Sequence, residues 1–451
     1  MVRFGTAGIR GDAVETVTPA VALAVGRAVA SMASEVVLGK DGRTTSAGLA
    51  DAAAAGLQSG GATVYDVGTV PTAVVAAASR GRLGLMITAS HNPATDNGIK
   101  LFDDGIEFDR PAERHIEQTV ADEPSPAAWS AWGDRRTIDR LSRYRDEVIS
   151  YLDDHGSSPA GLTIAVDCGH GMGGLATPSI VTEFGADVKA VNATPDGHFP
   201  GRPSKPTPET LESFRQFVGE SDANMGIAHD GDADRVVVLK GDGEIVHEDT
   251  ILAIIAHHYV SRSDVDDPVV VTTPNASERV DDRVRAAGGR TERTALGGLH
   301  EGIAEVEQDD TATVVFAGEP WKHIHPAFGG WIDGIVSGGL IVRLAADAGG
   351  LAPLREPVTE RPYRKRSIDC PDRQKELAME RIHNELATRF PDSSIDSSYG
   401  IRLTWPTGAW VLVRPSGTEP KLRIYLEAED VDDRMSMMED LVLDAISATV
   451  P

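Results

Sequence analysis

The 451-residue chain is almost without cysteine, with only Cys168 and Cys370. Two thiols with no metal-ligand spacing exclude a disulfide-stapled scaffold and a cysteine-built zinc site, and they leave a reducing cytoplasm as the default compartment. Long hydrophobic runs are missing too. No stretch approaches the roughly 18 apolar residues of a membrane span. The start, Met1-Val2-Arg3-Phe4-Gly5, lacks the apolar core of a signal peptide, so the sequence reads as cytoplasmic. Basic residues are scarce: 43 Lys and Arg stand against 69 Asp and Glu, for a formal net charge of −26. A surface of that sign repels nucleic acid and anionic membrane, so neither is an expected partner. The acid is spread along the chain instead of collected in a tail, which suits a high-salt cytoplasm where screening removes self-repulsion. A halophilic source accounts for the charge without an acidic function.

What is present is a folded, loop-rich α/β protein, 41% hydrophobic with 46 glycines and 26 prolines, too long for one core. A unit of apolar strand, polar loop, small-residue helix and second strand recurs at Val36–Val67, Leu162–Val188 and Pro268–Thr291. Three such β-α-β units predict three related α/β/α domains with mixed, mainly parallel sheets. The helical pattern Ile138–Leu152 and the polar linker after it close the first domain at 1–152. The second and third are expected at 153–257 and 258–356. A helix near 373–390 and a strand pair within 410–427 make 357–451 a smaller α+β domain.

Four loops carry chemistry. Phe4-Gly5-Thr6-Ala7-Gly8-Ile9-Arg10-Gly11 lets backbone amides approach an anion that Arg10 can clamp. Thr88-Ala89-Ser90-His91-Asn92-Pro93 presents Ser90 and His91 at the end of the apolar strand Leu83–Ile87, but no acid at fixed spacing completes a hydrolase triad. His229-Asp230-Gly231-Asp232-Ala233-Asp234-Arg235 places three carboxylates at i, i+2 and i+4, hard ligands for a divalent ion. An EF-hand is excluded because Arg235 and Gly241 stand where it needs Gly and Glu; a phosphatase with Asp230 as nucleophile stays open. Arg414-Pro415-Ser416-Gly417-Thr418-Glu419-Pro420-Lys421-Leu422-Arg423 concentrates donors as a phosphate cradle would.

These four stretches in this order resemble the α-D-phosphohexomutase family, and the resemblance covers the whole chain. It implies four domains around a central cleft. Ser90 is then the phosphorylated residue, with magnesium held by the phosphoserine, Asp230, Asp232 and Asp234, and with Arg235 supporting the metal loop. Arg10, His91 and Lys100 would flank the phosphoserine, Lys100 as general acid/base, made neutral for part of the cycle with the help of burial. Arg414, Ser416, Gly417, Thr418 and Arg423 would hold the substrate's distal phosphate. Glu319 and Gly297 would read the sugar.

Departures fall in the sugar-reading parts. Gly318-Glu319-Pro320-Trp321-Lys322-His323 replaces the usual Ser-Gly-His after the glutamate, and Trp321 and His323 either pack or touch ligand. The 294–300 loop keeps Gly297 but lacks a basic residue that some members of the family supply there, and Gly201-Arg202-Pro203-Ser204-Lys205-Pro206 departs from the common His-Pro-Asn-Pro type. The implied activity is a phosphosugar mutase exchanging phosphate between positions 1 and 6 of a hexose or hexosamine phosphate. It would use magnesium and a sugar 1,6-bisphosphate as activator and intermediate, and act as a monomer or homodimer. A phosphopentomutase, a phosphosugar phosphatase and a non-catalytic phosphosugar-binding regulator are the alternatives.

Overall fold

The computed structural model describes residues 2–5, 8–417 and 419–449. The first sheet contains β1 (Ile9–Asp12), β2 (Glu35–Lys40), β3 (Thr63–Thr69), β4 (Leu83–Ile87), β5 (Asp96–Asp103), β6 (Ile106–Glu107) and β7 (Arg135–Thr137), in the order β1-β5-β4-β2-β3-β7, with β6 on β5. β4, β2, β3 and β7 run parallel, while β5 returns antiparallel to β4 and pairs with β1. That return is what carries Lys100 back beneath the serine loop. The second sheet is β11-β10-β8-β9, from β8 (Thr163–Asp167), β9 (Asp187–Val191), β10 (Met225–Ala228) and β11 (Val237–Lys240). The third is β13-β12-β14-β15-β16, from β12 (Asp267–Thr272), β13 (Arg290–Arg293), β14 (Ala312–Glu319), β15 (Lys322–His325) and β16 (Gly329–Ile332). In all three the expected β-α-β unit forms a parallel pair: β2 with β3, β8 with β9, and β12 with β13. The fourth sheet is antiparallel throughout, β17 (Tyr363–Asp369), β21 (Lys421–Glu427), β20 (Trp410–Pro415), β19 (Ile401–Thr404) and β18 (Ser394–Asp396), backed by helices Asp372–Arg389 and Val431–Ser447.

Two of the expected boundaries meet helices. Glu248–Arg262 runs unbroken through residue 257 and its buried face packs with the third sheet's helix Glu278–Ala286, so a division at 257/258 would cut it. The helix that follows the first sheet begins at Leu141, with Tyr144, Val148 and Leu152 buried. Ile138 precedes it and only its neighbours continue the helical face. Tyr144 donates to Asp333 Oδ2 at 2.7 Å, which ties this helix to the third domain. No helix among the described residues is long and apolar enough to cross a membrane.

The domain junction holds an unusual set of buried histidines. His325 bonds Tyr259 and Ser337, His323 bonds the same Ser337, and His155 meets His258 at 2.8 Å. Burial disfavours the charged ring, lowering His229 to about 4, His258 and His323 to about 3, and holding His325 well below its ordinary value. The unfolded chain binds protons there that the native chain cannot. Stability present above about pH 6.5 is therefore lost as the pH falls toward 4, each histidine contributing up to about 1.4 kcal/mol per pH unit. Melting temperature at constant salt is expected to drop steeply between pH 7 and 5; a flat profile would contradict these neutral histidines.

Candidate active site

The serine loop is held from below by one arginine. Arg43 is buried and pairs with Asp41 at 3.1 Å; its guanidinium donates to the carbonyls of Ser90 (2.7 Å), Asn92 (2.8 Å), Pro93 (2.5 Å) and Asp96 (3.0 Å). Asp41 also accepts from Ser46 and Thr88. The second domain repeats the device: Asp167 at the end of β8 holds Arg202, which donates to the His229 carbonyl at 2.6 Å, next to the carboxylate loop. Neither arginine was singled out from sequence, because both contact backbone far away in the chain.

So anchored, Ser90 sits fully buried with φ of 50°, and its hydroxyl donates to Asp230 Oδ2 at 2.8 Å and lies 3.3 Å from His91 Nδ1. Ala233 and Trp321 also have positive φ, so three reactive-region loops each hold a non-glycine residue in the left-handed region. Such conformations cost about 1–3 kcal/mol each and persist where surrounding structure imposes them. Gly231 has a separate reason to be glycine: a Cβ there would stand 2.6 Å from the Ser90 carbonyl. The first domain reads the carboxylate loop again through Thr72, whose hydroxyl donates to Asp232 Oδ2 at 2.6 Å.

Asp230, Asp232 and Asp234 are buried, and each offers an oxygen within 4.8 Å of the others'. Asp232 Oδ1 and Asp234 Oδ1 have no hydrogen-bond donor among the described residues although fully enclosed. Burial and the repulsion of Asp234 and Asp232 drive the Asp230 carboxyl well up. Crowded, donor-poor oxygens of this kind fit a hard divalent cation, which would neutralise them. Asp234 goes the other way: burial would raise it, but Lys100, Lys322 and Arg235 outweigh burial and hold it ionised.

Lys100 reverses one expectation. Its Nζ lies 2.9 Å from Asp234, 3.4 Å from Asp232 and 3.6 Å from Glu107. Burial alone would favour the neutral amine, yet the three carboxylates prevail and raise its pKa. In this arrangement Lys100 is a charged proton donor. Glu107, absent from the sequence-based set, is likewise kept ionised against burial by Lys100, Lys322 and His300.

A cavity of about 800 Å³ opens in front of these groups, lined by Arg10, His91, Glu107, Arg235, Gly297, His300, Glu319 and Lys322. Arg10 Nε and Nη2 are buried without a partner among the described residues, the state of a guanidinium that awaits an anion. His91 is lowered to about 2, by burial first and then by Arg235, Arg10 and Lys322, so it is a neutral ring. Arg235 stands 3.7 Å from Asp230 and 3.8 Å from Asp234. Gly297 donates its N–H to Glu319 Oε2 at 3.3 Å, which joins the two expected sugar readers.

The altered motif resolves residue by residue. Trp321 packs on the second domain's core and its carbonyl accepts from Val236. His323 is buried against Ser337. Only Lys322 faces the cavity. In the fourth domain Arg414 donates to Tyr425 OH at 3.0 Å and leaves Nε without a partner among the described residues, Ser416 is buried, and Arg423 pairs with Glu419 at 2.7 Å. Lys375 clamps the Ser416 and Glu419 carbonyls, shaping the loop around Gly417. Thr418 lies outside the described residues. Among the described residues, Arg414, Ser416, Gly417 and Arg423 do not line the 800 Å³ cavity itself. The pKa of Lys205, in the second-domain loop, is lowered by burial first and then by the charges of Arg235, Lys365 and Arg423.

Residues 1–127, 142–243, 247–363 and 369–444 match, in chain order, the phosphoglucomutase/phosphomannomutase alpha/beta/alpha domains I, II and III and the C-terminal domain. A protein named phosphopentomutase from Thermococcus kodakarensis is 37% identical over 443 residues, covering 97% of this chain and 96% of its own. The Methanopyrus kandleri protein named "Probable phosphoglucosamine mutase" is 37% identical over 457 residues, with 99% and 98% covered. A phosphoglucomutase/phosphomannomutase family structure from Burkholderia thailandensis has a TM-score of 0.87 at 24% identity, over 100% of this chain and 99% of that one; this likeness carries the fold.

Proposed function

The chain belongs to the phosphoglucomutase/phosphomannomutase family, isomerases of the phosphohexomutase class, and on that premise we propose that it transfers a phosphoryl group between the 1 and 6 positions of a hexose or hexosamine phosphate. The observation that carries this reading is the Ser90 hydroxyl, 2.8 Å from a carboxylate of the buried triplet and beside a cation-lined cavity. Ser90 carries the phosphoryl group. Its P–O bond breaks as a free sugar hydroxyl forms a new P–O bond and gives up its proton, leaving a sugar bisphosphate. After the bisphosphate reorients, its other phosphate returns to Ser90. Mg2+ on Asp230, Asp232 and Asp234 would supply charge neutralisation for the phosphate oxygens.

The chain's own groups handle the rest. Lys100 holds a proton at Nζ for the serine oxygen, and the ionised Glu107 beside it accepts one. Arg10 and Arg235 bind phosphate oxygens, Glu319 accepts from sugar hydroxyls, and neutral His91 orients the serine. Arg414, Ser416, Gly417 and Arg423 hold the distal phosphate when the fourth domain approaches. Positioning and charge, with little covalent assistance, suffice for this class of transfer.

A pentose 5-phosphate is a second reading, favoured by the Thermococcus kodakarensis relative's name and by the departures in the sugar loop. The 1-phosphates of glucose, mannose, glucosamine and ribose, each tested for 6- or 5-phosphate product in high salt, separate these substrates. Release of inorganic phosphate without isomerised product would instead indicate a phosphatase, and binding without turnover a regulator. Chelation of divalent ions is expected to lower turnover by at least about 10²-fold, restored by added Mg2+; unchanged turnover after chelation would remove the metal role.

A further inference from the structure

Glu319 and Lys322 are cross-strand partners closing the β14–β15 hairpin, so one turn delivers a carboxylate and an ammonium to the same cavity. The two form no ion pair with each other among the described residues. Lys322 is 7% exposed, donates no hydrogen bond among the described residues, and has its Nζ 3.7 Å from Asp234 Oδ2, the oxygen Lys100 also contacts. Its charge also bears on His91, next to Ser90. Next to the hairpin the 294–300 loop contributes Leu296, Gly297, Leu299 and His300 to the cavity, with no lysine or arginine. A nearly buried ammonium with no hydrogen-bonding partner, at the edge of a carboxylate triplet, is placed to meet an anion.

We propose that Lys322 binds the transferring phosphoryl group from the third-domain side, supplying the cation that the 294–300 loop lacks. The proposal rests on the mutase reading for its catalytic consequence only. Binding an anionic phosphate beside the metal loop, Lys322 shares the charge that develops on the equatorial oxygens during transfer, and together with Glu319 it sets how far a sugar's reacting end enters.

The test compares wild type, Lys322→Met and Lys322→Arg in the Mg2+-loaded protein. Lys322→Met is expected to lower kcat by about 10²-fold, as for loss of one preorganised donor, with Lys322→Arg restoring part of it. Independently, the concentration of inorganic phosphate that gives the half-maximal rise in melting temperature should increase about tenfold in Lys322→Met. A residue that merely steadies Asp234 would shift the Mg2+ requirement and leave the phosphate response unchanged, which overturns the proposal. So would a Lys322→Met enzyme within threefold of wild type in both readouts. A wild type inert toward every sugar 1-phosphate would overturn the mutase reading, and the phosphate response alone would then decide for or against Lys322.

Discussion

Ser90→Ala is expected to lower mutase turnover by about 10⁴-fold or more, the scale on which enzymes lose rate when an acting nucleophile is deleted. The substitution removes one oxygen and its hydrogen bond to Asp230 Oδ2, and keeps the rest: Arg43 binds the residue 90 carbonyl, not its side chain, and the three carboxylates stay in the carboxylate loop. Residue 90 is already left-handed at φ 50°, and alanine meets the same backbone cost as serine. Melting temperature should therefore hold while activity collapses. Steady-state kinetics beside a thermal melt measures both; retained activity would mean that Asp230 or water acts directly and that the serine only lines the cavity.

The second large effect is structural. Arg43→Ala is expected to destabilise the protein by about 3–5 kcal/mol, because it strands the buried Asp41 carboxylate without its cation and leaves four loop carbonyls without that donor. Burial already raises the Asp41 pKa, and Arg43 is the largest influence opposing it. Arg43→Lys should rescue little, since one ammonium cannot span carbonyls served by the forked guanidinium. Denaturant titration reads the loss, and activity should fall together with stability. A variant as stable as wild type would show that the serine loop holds its shape without this anchor.

Much of this was legible in the chain because it is local. Apolar runs announced β4, β8 and β12, and the parallel pairs followed from repetition alone. The carboxylate triplet could be read from its i, i+2, i+4 spacing, which a turn brings to one centre. What escaped was set by contacts between distant segments. Arg43 and Arg202 act on backbone of other loops, Glu107 matters because β6 folds back on β5, and Lys322 could be separated from Trp321 and His323 only once the β14–β15 hairpin decided which side chain faced the cavity. The surroundings of Lys100 were hidden for a related reason: burial is visible in a hydrophobic strand, but the three carboxylates around its Nζ come from two domains. The boundary inside Glu248–Arg262 failed because that helix has little polar face to mark its end.

The most direct measurement is to mix the Mg2+-loaded protein with a sugar 1,6-bisphosphate, locate the phosphoryl group by peptide mass spectrometry, and chase with unlabelled 1-phosphate in a single turnover. The account predicts one phosphoryl group on Ser90 that passes to the added sugar faster than to water. Phosphate on another residue, or its release as inorganic phosphate with no transfer to the sugar, would contradict it.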